Sequence, residues 1–227
     1  MLGFQNVWRN LDWSVLRNAI LSIIPAMICI TFHEFSHGFV AYKMGDNTAK
    51  NEGRLTLNPI RHIDPIGLLM LIVFRFGWAK PVPVNMNRFK NPKRGMMLTA
   101  LAGPVSNLVM AFIFLMLFAV LYWPLNSLGT GVGYGILGMI DTTAYLSISL
   151  AVFNIIPVPP LDGSKVLFSL LSDDAYYKLM RYERYGMIIL FVLLYSGILS
   201  TPLFHVTQFI YDHMMTLPLY IITTLNG

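Results

Sequence analysis

From 96 to 123 the chain carries no charged residue. The run exceeds the about 20 apolar residues a helix needs to cross a bilayer. Lipid offers no partner to backbone N–H and C=O groups, so such a segment must bond within itself, as a helix. The composition agrees along the whole chain. Apolar residues make up 56% of the 227 and charged residues 12%, with a mean hydropathy of +0.60. A soluble domain carries about 25% charged residues. The sequence therefore excludes an ordinary soluble domain. It predicts an all-α polytopic membrane protein, a single domain over 1–227 with about 4–6 transmembrane helices and no room for a separate soluble module.

Besides 96–123, the predicted helices are 15–44, 133–156 and a C-terminal group over 186–225, read as 186–200 and 205–225. Segment 15–44 contains Pro25 and carries His33, Glu34, Ser36 and His37 towards its C-terminal end; 133–156 holds Asp141. The opening MLGFQNVWRNLDW lacks the short apolar run and small-residue cleavage site of a signal peptide, so the first apolar segment is expected to stay. With Cys29 as the single cysteine, no internal disulfide is possible.

Charge sets the orientation. Ten of the sixteen Lys and Arg residues lie between Lys43 and Arg94, and four more between Lys165 and Arg184. Positive loops stay cytoplasmic, so both stretches are expected on the inner side, with the N-terminus and 125–135 outside. Helices 15–44 and 133–156 then both run inward. His33 and Asp162, far apart in sequence, arrive at similar depth near the cytoplasmic face. The net charge of +5 is this same bias. No segment joins a basic face to stacking aromatics, so nucleic acid is not an expected partner.

Region 45–94 reads differently. RLTLN at 54–58 and VPVNM at 82–86 alternate polar and apolar residues, which predicts a small membrane-associated β-sheet on the cytoplasmic side. Pro81 and Pro83 would confine the second stretch to an edge. The apolar run 66–74 is too short to span and is expected to be re-entrant or interfacial.

The chemistry concentrates in His33-Glu34-Phe35-Ser36-His37, an HExxH pattern. On a helix, positions i and i+4 share one face, so two imidazoles can bind one metal ion while the intervening carboxylate reaches the water it activates. Ionisable groups inside an apolar helix are costly and usually functional. The plainer alternative is a buried polar cluster between helices. Catalytic zinc takes a third protein ligand and keeps one position open. Glu52, Asp64, Asp141 and Asp162 are the acidic candidates. Asp162 follows NIIPVPPL, where Pro157, Pro159 and Pro160 cannot continue a helix. It is either a ligand or the cap of the segment that begins at Gly163.

HEFSH in an apolar helix, followed by GPVSN at 103–107 and NIIPVPPLDG at 154–163, resembles the site-2 protease family of intramembrane zinc metalloproteases. GRLTLNPIRHIDPIG at 53–67 and FGWAKPVPVN at 76–85 are similar to its short forms, without a PDZ or CBS domain. The resemblance covers 19–171. It implies one Zn(2+) per chain held by His33, His37 and Asp162, with Glu34 as general base and the LDG segment at 157–171. It also implies transmembrane protein substrates, cut in or near the lipid bilayer, often with release of a cytosolic regulator.

Several residues stay open between two roles. Asn107 and Asn154 are candidate donors to the oxyanion or substrate, or else interhelical hydrogen bonds. Gly103 and Pro104 read as a close helix approach or kink. His62 and Asp64 read as an interfacial histidine and a helix-start aspartate, or as neighbours of the site. Cys29, one turn before His33, reads as a packed thiol rather than a ligand. An unwound substrate would need backbone partners, which 54–58 and 82–86 are expected to supply by strand addition. A metal transporter or an inactive scaffold would have to account for Glu34 beside an intact ligand set.

Overall fold

The computed structural model describes residues 13–67 and 78–224, with side chains from 23 onward apart from 173, 177 and 180–184. Helix α1 (Trp13–Lys43) is followed by the short α2 (Thr48–Asn51) and by 3-10 turns at Pro59–His62 and Met86–Arg88. Then come α3 (Pro92–Asn126), α4 (Gly131–Ile155), the short α5 (Asp162–Ser169), α6 (Asp173–Tyr195) and α7 (Ser200–Thr224).

Helix α3 is the centre of the fold and packs against α1, α4, α5 and α7. Its start is set locally. Pro92 occupies the first turn, where its missing N–H costs nothing, and the Asn91 side chain accepts the Arg94 N–H at 3.1 Å. Its buried face repeats every fourth residue: Gly103, Asn107, Ala111, Leu115 and Ala119. Mostly small side chains on one helical face let neighbouring backbones approach closely, which is how helices pack where lipid gives no hydrophobic drive. The opposite face carries Val105, Val109, Ile113 and Val120, all more than half exposed and suited to lipid.

Among the described residues, three segments are long and apolar enough to cross a membrane: Ile23–Lys43, α3 and α4. Residues Tyr185–Tyr195 and α7 would add a fourth if that pair, bent by 84°, counts as one span. Among the described residues this makes three to four spans, which meets the expected four to six only at its lower end.

The expected β-sheet does not form. Among the described residues there is no strand, only an isolated bridge between Ile63 and Ala79. The reason lies in where the backbone donors go. Arg54 and Leu55 N–H close the end of α2 on the Ala49 carbonyl, and the Arg54 guanidinium takes the carbonyls of Lys80 and Pro81. Pro81 and Pro83 have no N–H. Val82 N–H donates to Glu34 and Asn85 N–H to the fully buried Asp46. Two side-chain carboxylates and the Ala49 carbonyl thus take the donors that a ladder would need. The expectation for 66–74 falls outside the described residues from 68 onward, as does the N-terminal stretch 1–12.

Candidate metal centre

Helix α1 places His33 and His37 one turn apart on the face that meets α3. Their rings lie 4.5 Å apart between centroids, at 89° to one another. Asp162 reaches them from the first turn of α5. Its Oδ2 is 3.1 Å from His33 Nε2 and 3.1 Å from His37 Nε2. All three residues are buried, and their ligand atoms lie within 4.8 Å of one another. Burial alone would raise the Asp162 carboxyl, but the adjacent His37 and His33 hold it well below the usual carboxylate range.

Two close approaches make this convergence possible. A Cβ on Gly103 would sit 2.5 Å from His37 Cε1 and Nε2 and 2.6 Å from His33 Cε1. Only a glycine in α3 leaves room for the two rings, so its reading as a close approach describes its place beside the site. A Cβ on Gly163 would meet the Ile155 carbonyl oxygen at 2.0 Å. The chain after the proline segment therefore turns back under the end of α4, which carries Asp162 inward. The cap of α5 is Leu161, and no side chain caps it. Asp162 stands at the first helical position with its carboxylate turned to the histidines, so the helix-cap alternative is not realised.

The donor set fits zinc. Two imidazoles and one carboxylate match a three-ligand catalytic site with one position left open. His37 Nδ1 lies 2.7 Å from the Thr99 carbonyl oxygen. The Nδ1 hydrogen therefore donates to that carbonyl and leaves the Nε2 lone pair for the metal, as ligating histidines commonly do.

A cavity of about 400 Å³ opens beside the three residues. Glu34, Val82, Asn154 and Lys165 are among its lining residues. Glu34 is partly buried, and its Oε2 accepts the Val82 N–H at 2.8 Å, which holds the carboxylate against the 78–85 segment. Lys165 Nζ lies 3.9 Å from Asp162 Oδ1, on the side of the carboxylate away from the histidines.

The two asparagines occupy different places. Asn154 lines the cavity, and its Nδ2 donates to its own helix at Leu150 O, 2.9 Å. Asn107 is fully buried and meets His33 Nδ1 at 3.1 Å. The remaining candidates lie outside the cluster. Asp64 accepts the Ile66 and Gly67 N–H groups, and His62 is buried against the Thr56 carbonyl. Asp141 accepts the Tyr211 hydroxyl. Cys29 is buried with its thiol on the Thr143 carbonyl. Sequence reasoning missed Lys165, although its spacing of three from Asp162 puts both on one face of α5. It also missed the Thr99 carbonyl and the Val82 N–H, which are backbone atoms without a signature.

Comparison with known proteins decides the family. The model of peptidase family M50 matches residues 125–197, which include Asp162. YwhC of Bacillus subtilis is 40% identical over 171 residues, covering 75% of this chain and 78% of that protein. The chain belongs to peptidase family M50. Rip2 of Mycobacterium tuberculosis strain H37Rv is 28% identical over 198 residues, covering 85% of this chain and 73% of its own. MJ0611 of Methanocaldococcus jannaschii is 31% identical over 155 residues, covering 65% and 69%. Each of the three bears a zinc-metalloprotease name. No solved structure matches. The family and the clustered donors together make zinc the cofactor and a metallopeptidase the class of enzyme, in a multi-pass membrane protein. The resemblance to site-2 proteases holds at this level.

Proposed function

We propose that this M50 peptidase hydrolyses peptide bonds in or near transmembrane segments of other membrane proteins, with His33, His37 and Asp162 as zinc ligands and Glu34 as general base. The observation that carries the reading is the position of the site. A buried His–His–Asp cluster opens to a cavity between helices whose outer faces suit lipid. Zinc in such a set supplies Lewis acidity, which acidifies a water and polarises a carbonyl. Glu34 takes the water proton on its carboxylate and passes it to the leaving amine. The Val82 N–H orients that carboxylate from one side. Asn154 lines the cavity where a substrate backbone would lie, and rotation of its amide away from Leu150 would free it as a donor to the substrate.

The cytoplasmic side is the proposed origin of water. His33 and His37 stand towards the end of α1 that leads into the basic 43–94 stretch, and positive loops stay inside. Cleavage there would release a cytosolic fragment. The test is reconstitution in liposomes with a single-span substrate, followed by mass spectrometry of the products. The expected cut lies within or next to the inner half of the span and is absent with Glu34→Gln. Cuts confined to soluble segments, with the span left intact, would overturn the intramembrane reading.

A further inference from the structure

Among the described residues, Asn107 is the one fully buried side-chain amide next to a proposed ligand, and its geometry does not suit contact with substrate. It projects from α3 onto His33 Nδ1, on the side of the ring away from Asp162, and it is not among the residues lining the cavity. Its Nδ2 is 3.1 Å from Nδ1, and its Oδ1 is buried without a hydrogen-bond partner.

That contact determines where His33 carries its proton. A neutral imidazole has one N–H and one lone pair. With Nδ2 donating, Nδ1 would supply the lone pair and the proton would lie on Nε2, facing Asp162 Oδ2 at 3.1 Å. This state cannot ligate a metal through Nε2. Rotating the amide by half a turn brings Oδ1 onto Nδ1. The proton then sits on Nδ1 and the Nε2 lone pair is free. The ring holds one proton in both states, so nothing is gained or lost. A metal held by Nε2 requires the second orientation.

We infer that Asn107 is a positioning residue for the zinc site, whose amide Oδ1 accepts from His33 Nδ1–H and so leaves the Nε2 lone pair for the metal. It does for His33 what the Thr99 carbonyl does for His37. The difference is that a backbone carbonyl can only accept, whereas an amide serves both tautomers. The inference rests on the reading of His33 as a zinc ligand.

The test is the zinc dissociation constant of detergent-purified protein, by chelator competition, for wild type, His33→Ala, Asn107→Ala, Asn107→Leu and Asn107→Asp. Loss of a hydrogen-bonding partner behind a ligand weakens metal binding by about 10–100-fold. That weakening is expected in Asn107→Ala and Asn107→Leu. Asn107→Asp keeps an acceptor in the same place and is expected to stay near wild type. In 15N spectra of the histidine-labelled, zinc-loaded wild type, the His33 resonance is expected to show a protonated Nδ1.

A mere bond between α1 and α3 would lower the thermal stability of the zinc-free variants and leave zinc affinity unchanged, which would overturn the inference. Equal weakening in Asn107→Asp and Asn107→Ala would remove the acceptor role. A His33 Nδ1–H in the loaded wild type without the downfield proton shift of a hydrogen bond would overturn it even if every variant misfolded. Full zinc in His33→Ala would refute the ligand reading itself, an outcome distinct from all of these.

Discussion

The helices α1, α3 and α4 and the C-terminal pair α6 and α7 are built from similar apolar residues but treat polar groups in opposite ways. The first set buries Thr31, His33, His37, Thr99, Asn107, Thr143 and Ser147 and packs them with glycine and alanine. Among the described residues of the second set, Thr207 is the buried polar side chain, while Ile188, Val192, Tyr195, Phe209 and Tyr220 are more than 45% exposed. The pair is tied to the core by contacts such as Trp123 Nε1 donating to the Ile222 carbonyl at 2.9 Å. Burying a polar group without a partner costs about 1–3 kcal/mol. The fold carries that cost where the chemistry is, while the second set leaves its polar groups, among them His205, Asp212 and His213, exposed beside its apolar ones.

Substitutions in the two regions should therefore separate widely. The largest effect is expected from Glu34→Gln. Removing a general base costs about 10²–10⁴-fold, so cleavage of a membrane substrate should fall by about that factor with zinc retained. Loss of zinc in this variant would instead make Glu34 part of the ligand set. Val82→Pro deletes the N–H that holds Glu34. A hydrogen bond to a charged group is worth about 1.5–3 kcal/mol, so kcat should drop about 10–100-fold, again with zinc retained. An unchanged kcat would show that Glu34 is oriented from elsewhere.

Gly103→Ala pushes a methyl group into both histidine rings. Overpacking costs about 1–3 kcal/mol, which predicts zinc binding weaker by about 10–100-fold. Wild-type affinity would mean that α3 yields more easily than its packing implies. The smallest effect is expected in the C-terminal pair. Phe209→Ala and Tyr220→Ala should each change stability by no more than about 0.5 kcal/mol and leave zinc content and cleavage unchanged. A large loss of activity in either would place part of the substrate path on α7 and erase the contrast.

What could be read from sequence follows the same division. Charge-free runs and the clustering of Lys and Arg locate helices because lipid admits few alternatives. HExxH points to a metal site because two imidazoles share one helix face, whereas Asp162 stays open between ligand and cap until the family resemblance and then the observed cluster join it to the histidines. The alternation at 54–58 and 82–86 misled because a period of two states where side chains point and says nothing of where backbone donors go. Here they went to Glu34, Asp46 and the Ala49 carbonyl. Asn107 and Asn154 looked alike as isolated amides near the motifs. Only the packing of α3 on α1 turns one to His33, and only the local bond to Leu150 keeps the other in its own helix.

The central claim is that His33, His37 and Asp162 together hold the metal. Zinc content of detergent-purified wild type beside Asp162→Asn and Glu34→Gln tests it most directly. The account expects about one zinc per chain in the wild type and in Glu34→Gln, as for a single three-ligand site, and little or none in Asp162→Asn. Full zinc in Asp162→Asn, or none in a metal-replete wild type, would contradict it.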